Sequence, residues 1–238
     1  AYVNYHTRNW GFKAGVILAS TGYINEIHEP PTFLSVERPD YAKYIIPTTW
    51  FGNGFGFYGN FSGIDWKINF LEDMNASKIG DGIRDARGKG YKTTAHNWTK
   101  NLRLDYNGIS GINLGSSLTM NDAPLTFNSV GSVDESIGIS LIEFHGSYSS
   151  NNIIATMEYG NITYTNNDNS GGTSGYYLDL GYDISQMLKC KGSLIPWFRY
   201  GNIQKDTNTA DSDAHYDIIK FGLSYYPIDQ IAFKLDYG

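Results

Sequence analysis

Cysteine is almost absent: Cys190 is the single one among 238 residues. It cannot form an intrachain disulfide, so a disulfide-stapled secreted scaffold is excluded. Basic charge is also scarce, with 18 Lys and Arg against 24 Asp and Glu for a net charge of −6. That balance, with a pI near 5.3, argues against a nucleic-acid partner. No apolar run approaches the roughly 18 residues that a membrane-spanning helix needs; the best is 15–19, so a helical membrane protein is excluded. A sustained 3.6-residue apolar stripe is missing too, and long helices are not expected. The chain begins at Ala1 with neither an initiator Met nor a basic-then-apolar signal segment. It stops at the close of a strand-like pattern, 233–238, and a partial chain is the expectation. Taken alone, a mean hydropathy of −0.36 reads as soluble.

What is present in quantity is alternation. Ile64, Trp66, Ile68 and Phe70 alternate with Asp65, Lys67 and Asn69; Leu102, Leu104 and Tyr106 alternate with Arg103 and Asp105; Phe233, Leu235 and Tyr237 alternate with Lys234 and Asp236. Such period-two segments are strands with one apolar and one polar face. They predict about twelve strands: 1–7, 11–19, 53–61, 63–72, 97–107, 110–120, 136–148, 152–163, 175–184, 193–203, 216–226 and 230–237. Short turns are expected at 8–10, 62, 108–109, 149–151, 185–192 and 227–229. Longer polar segments, 20–52, 73–96, 121–135, 164–174 and 204–215, separate the pairs. Strict short–long alternation in an antiparallel meander puts every turn at one end and every loop at the other.

That layout predicts an all-β fold, an antiparallel up-and-down transmembrane β-barrel in a single domain spanning 1–238. Tyr and Trp near strand ends (Trp10, Trp98, Tyr148, Tyr159, Tyr182, Tyr200, Tyr225, Tyr226) suit the two membrane interfaces. The low hydropathy then follows, because only alternate strand positions meet lipid. A soluble sandwich or propeller would need no such alternation of connections and would carry an apolar inner face.

Residues 20–52 stand apart. Four of the seven prolines (Pro30, Pro31, Pro39, Pro47) lie here and set a rigid, non-sheet path. Loops of this length in a compact fold are usually functional, and its charged residues Glu26, His28, Glu29, Glu37, Arg38, Asp40 and Lys43 are candidate constriction residues. The runs Gly22-Tyr23-Ile24-Asn25-Glu26, His28-Glu29-Pro30-Pro31-Thr32-Phe33, Val36-Glu37-Arg38-Pro39 and Ile45-Ile46-Pro47-Thr48-Thr49-Trp50, with the Gly-rich strand after them, resemble bacterial outer-membrane porins of the phosphate-selective O and P type. Pro196-Trp197-Phe198-Arg199-Tyr200 and Tyr225-Tyr226-Pro227-Ile228-Asp229-Gln230 are similar to the C-terminal strands of that family. The resemblance is dense over 1–60 and 193–237. It implies a homotrimer in a Gram-negative outer membrane, in contact with lipid and lipopolysaccharide. It further implies roughly sixteen strands, or 14–18 in the complete protein, with 20–52 folded toward the pore and small anionic or neutral solutes passing through.

Charge tempers the phosphate implication. Strand parity turns Lys13, Lys67, Arg103, Arg199, Lys220 and Lys234 inward, and with them Asp65, Asp105, Glu158, Asp179, Asp183 and Asp236. Anion selectivity needs an excess of basic groups at the constriction, and this wall is balanced. Lys100 and Glu143 fit the parity poorly and read as rim or bulge residues. The loop 80–90, with Arg84, Arg87 and Lys89, reads equally as an inward fold or as an ordinary solvated loop.

Other chemistries find little support. There is no Gly-x-Ser-x-Gly elbow for a hydrolase, and no enzyme activity or cofactor is expected. His6, His28, His96, His145 and His215 lack metal-ligand spacing and read as polar strand or loop residues. Asp206, Asn208, Asp211 and Asp213 read as a solvated acidic loop rather than a Ca²⁺ site; no metal is expected. The competing functional reading is a structural or surface-interaction barrel whose loops bind a partner, with little channel activity.

Overall fold

The computed structural model describes residues 1–91, 94–166, 171–209 and 213–238. Twelve strands form one antiparallel sheet in strict chain order. They are β1 (Tyr2–His6), β2 (Trp10–Leu18), β3 (Phe51–Phe61), β4 (Ile64–Leu71), β5 (Thr99–Ile109), β6 (Ile112–Phe127), β7 (Val133–Ser150), β8 (Ile153–Thr165), β9 (Gly172–Tyr182), β10 (Ser193–Gln204), β11 (His215–Ile228) and β12 (Ile231–Tyr237). The helices are single turns: α1 (Tyr23–Glu26), α2 (Tyr41–Tyr44) and α3 (Ser185–Leu188). All twelve expected strands are present, as an up-and-down meander.

Local chemistry explains the tight turns. Ser62 and Gly63 both take positive φ (52° and 82°), as do Asn151 and Asn152 (52° and 66°). Two successive left-handed residues make the hairpin turn whose twist matches that of the flanking strands.

The expected alternation of connection length holds only in part. Residues 121–135 are not a loop: β6 runs on to Phe127 and β7 starts at Val133, leaving 128–132 as the turn. At the opposite end, 183–192 is a longer connection containing α3. Pro124 sits beside a register shift, which is how a strand carries a proline.

The apolar parity faces outward as expected. Leu102, Leu104, Ile142, Phe144, Phe221, Leu223, Phe233 and Leu235 are exposed, while the neighbours Arg103, Asp105, Glu143 and His145 are buried. Tyr226 departs from the aromatic-rim expectation: its hydroxyl donates to Phe33 O on the loop (3.2 Å), so it points inward. Lys100 does lie outside, exposed, as the second residue of β5.

The inner face has two characters. On β7–β10, toward the loop end, Ile137, Ile139, Leu141, Ile162, Tyr164, Tyr177 and Ile203 join Tyr41, Tyr44, Ile45 and Ile46 of the long loop in the main apolar cluster. Met74, Ala76, Ile83 and Ala86 of the loop after β4 belong to the same cluster. On β2–β6 the inner face is polar, with Lys13, Lys67, Asn69, Asn101, Arg103, Ser117 and Thr119. The core therefore lies inside the sheet, between its wall and two infolded loops.

Candidate functional site

The segment 19–50 lies against the inner face of the sheet, and its hydrogen bonds reach seven strands. Ser20 accepts from Asn69 Nδ2 of β4 (2.8 Å), and the Thr21 hydroxyl bonds Thr119 of β6 (2.6 Å) and Asn101 of β5 (3.1 Å). Gly22 N donates to Ser117 Oγ (3.0 Å) and Tyr23 N to Glu158 Oε1 of β8 (2.8 Å). Farther on, Glu37 O accepts from Arg199 of β10 (3.5 Å). Leu34 O accepts from Ser224 of β11. Lys234 of β12 donates to Pro30 O, Phe33 O and Ser35 O. A loop bonded to β4, β5, β6, β8, β10, β11 and β12 requires the sheet to curl round it.

Gly22 makes the first anchor possible. Its φ of 66° and ψ of 163° are open to glycine alone, and a Cβ there would sit 2.4 Å from Ile46 Cδ1 and 2.5 Å from Glu158 Oε1. The second loop makes a similar close approach: a Cβ on Gly82 (φ 85°) would meet Tyr44 O at 1.9 Å. Arg87 ties that loop to the first, donating to Thr48 O (3.1 Å). Burial, with repulsion from Arg84, brings the Arg87 guanidinium down to about 10. The 80–90 segment thus folds inward.

Charges on the wall are mostly paired. Arg103 grips Asp105 with two bonds (2.7 and 2.8 Å). His145 sits between Asp105 (2.8 Å) and Glu143 (2.7 Å), and Ser117 donates to Glu143 (2.8 Å). Both imidazole nitrogens therefore face carboxylates, so neither is left to activate the Ser117 hydroxyl. The group is no hydrolytic triad. Arg199 holds Asp179 by two 2.6 Å bonds, and Lys67 meets Glu26 at 2.6 Å.

The expected constriction residues divide by role. Glu26 faces the wall, with Arg103 also at 3.7 Å. Arg38 is turned to its own loop, donating to the His28 carbonyl (3.2 Å) and to the Thr48 hydroxyl (2.9 Å). His28 bonds Asn25 O (2.9 Å), and Asp40 accepts from Tyr216 (3.3 Å). Lys43 is exposed and lies over the Tyr44 ring at 4.8 Å; Glu29 and Glu37 are exposed. Glu37, Arg38, Asp40 and Lys43 line a recess of about 560 Å³ with Arg84 at the loop end.

Among wall residues, Lys13 sits over the Tyr58 ring (4.8 Å), and Lys220 is half-buried opposite Arg199. Lys67 and Arg103 are direct cross-strand partners. Two cavities of about 340 and 400 Å³ share Glu26, Tyr58 and Lys67 and run along the inner side of β1–β4, the larger reaching Arg103 and Asp105 of β5 and Asn113 of β6.

Glu143 corrects the rim reading: it is fully buried and central to the charge group. His145 is likewise more than a polar strand residue. Their shared parity with Ile139 and Leu141 was the available signal, hidden because apolar residues occupy both faces of that stretch. Asp211 of the acidic loop lies outside the described residues.

No family model matches the chain. An uncharacterized protein of Aquifex aeolicus is 26% identical over 270 residues, covering 100% of this chain and 60% of that protein. The chain therefore spans less than two thirds of the length of the curated relative it matches. Among solved structures, Salmonella typhi OmpF, in complex with daunomycin, is similar with a TM-score of 0.62 at 11% identity, over 96% of this chain and 66% of that one. An anion-selective porin from Comamonas acidovorans gives 0.58 at 10% identity, over 94% and 61%. The trimer form of OmpT, an outer membrane protein of Vibrio cholerae, gives 0.56 at 12%, over 94% and 64%.

The fold is that of outer-membrane β-barrels of the porin type. An outer-membrane location, expected from the sequence, is consistent with it. The narrower resemblance to phosphate-selective porins has no matching family model behind it.

Proposed function

We propose that the protein is a passive diffusion channel of the outer membrane, with 19–50 as its constriction. The observation that carries this reading is the loop bonded to seven strands across the interior, which narrows the space inside the sheet. The apolar cluster packs the loop onto β7–β10, so the solute path runs on the other side, along β1–β4 past Lys13, Tyr58, Lys67 and Glu26. Small hydrophilic solutes are the cargo, and no covalent step or cofactor is involved. Outward Leu, Ile and Phe residues meet lipid and lipopolysaccharide, and a homotrimer is the working assembly.

An anion preference of the phosphate-selective kind would draw on Lys13, together with Arg38, Lys43 and Arg84 at the loop-end recess. The pairing of Lys67, Arg103 and Arg199 with carboxylates supports a weak preference instead. Planar-bilayer recording tests the channel. Deletion of 26–40 is expected to raise single-channel conductance, and unchanged conductance removes the loop from the constriction role.

The overhanging β6–β7 hairpin supports a second reading. Leu125, Phe127 and Val130 are exposed at its loop end, as a surface-interaction barrel would present them. A closed, non-conducting barrel would favour that role.

A further inference from the structure

A separate recess of about 270 Å³ lies between the loop and the turn-end halves of β8–β11. Its walls are unlike those of the path along β1–β4. Ile27, Pro31, Phe33 and Leu34 come from the loop, and Ile154, Ile195 and Tyr226 from the strands. Leu34, Ile195 and Trp197, with Ile154 and Tyr226 packed on them, form an apolar cluster distinct from the main core. A path for hydrophilic solutes alone has no use for an aliphatic and aromatic pocket open to the same water. Ligand pockets are concave and mostly apolar, with a few polar groups that fix orientation, and here Thr156 and Ser193 supply hydroxyls on one wall.

Charge narrows the occupant. Among the described residues, the charged side chains lining the recess are two carboxylates, Asp179 and Asp229, with no cationic one. Asp179 is already held by Arg199. Lys234 lies 4.0 Å from the Phe33 ring centroid but is committed to three loop carbonyls. Asp229, exposed in the β11–β12 turn, makes no ion pair among the described residues. An anionic solute meets an uncompensated carboxylate at this mouth, whereas an ammonium group finds a partner.

We infer that this recess is a binding site for small single-ring solutes bearing an amine and no anionic group. The ring would lie among Phe33, Leu34, Ile195 and Tyr226, with the ammonium toward Asp229. The volume suits one ring: an engineered apolar cavity of roughly 150 Å³ already takes benzene.

The inference rests on the channel reading only for how solute arrives; binding itself is testable without conduction. Isothermal titration of the micelle-folded protein would compare phenethylamine with phenylacetate, which share a ring and differ in charge. The expected result is phenethylamine binding at least roughly tenfold tighter, a difference of about 1.4 kcal/mol. Asp229→Asn, at an exposed turn, should shrink that preference, and Thr156→Phe should abolish binding by filling the recess.

Equal affinity for the two probes, or no binding at millimolar concentration, would overturn the site. So would binding that survives Thr156→Phe in protein whose folding is verified by circular dichroism. Binding in a protein that does not conduct would overturn the channel and leave the site standing. Conduction without binding would do the reverse.

Discussion

Glu26 of the constriction loop and Lys67 of β4 meet at 2.6 Å, and the pair joins the loop to the wall where the two β1–β4 cavities share residues. Lys67 stands directly opposite Arg103, and like charges at cross-strand positions repel. Glu26 lies within reach of both and offsets that repulsion.

Replacing Glu26 by Gln therefore leaves two cations on the wall without their loop partner. Glu26 and Lys67 are partly exposed and Arg103 keeps its pairing with Asp105, so the stability cost is small, about 0.2–1 kcal/mol for such a pair. The expected effect is on transport: the reversal potential under a salt gradient should move toward the anion equilibrium potential. A shift toward cations would contradict the placement of the path along β1–β4.

Gly22→Ala tests the loop's first anchor. The substitution forces a Cβ into a backbone region costing on the order of 1–3 kcal/mol, against Ile46 and Glu158. The loop should loosen while the strands remain. The measurable outcome is faster proteolysis within 20–50 in micelles, with the far-ultraviolet strand signal retained.

The strand count and facing were legible because lipid on one side and water or charged groups on the other impose a period of two, as at Leu102–Tyr106. The loop 20–52 was legible from its prolines and acids. Two features were not. Along 137–141 the inward positions Ile137, Ile139 and Leu141 are apolar because a loop, not water, covers them, and that erased the contrast that parity reading needs. The same stretch hid Glu143. The extension of β6 through Asp122 and Pro124 ran against residue propensity; pairing with β7 satisfies the backbone there despite the register shifts. The pairing of Arg103 with Asp105 and of Arg199 with Asp179 was equally invisible, since parity gives the face of a residue and not its partner.

The Arg199–Asp179 pair should show the cost of an unbalanced buried charge. Arg199 is 1% exposed, and Asp179→Asn removes its only carboxylate partner among the described residues. Breaking one side of a buried pair costs about 3–5 kcal/mol. Replacing both residues with Leu and Met should recover most of that loss, because no charge is then left without a partner. Urea unfolding of Asp179→Asn, Arg199→Met and the double variant in micelles measures it, and additive losses would contradict direct coupling.

Leu104→Arg tests the outward face. Leu104 lies at the middle of β5 (Thr99–Ile109) and is exposed on the parity assigned to lipid. A guanidinium at the bilayer midplane costs about 2–4 kcal/mol, falling to about 0–1 near the interfaces. Lys100, on the same face but near the strand end, illustrates the permissive depth, so Leu102→Arg should cost less than Leu104→Arg. Folding into phospholipid vesicles, followed by gel mobility with and without heating, ranks the variants. Equal tolerance of Arg at 100, 102 and 104 would mean that this face does not meet hydrocarbon at all.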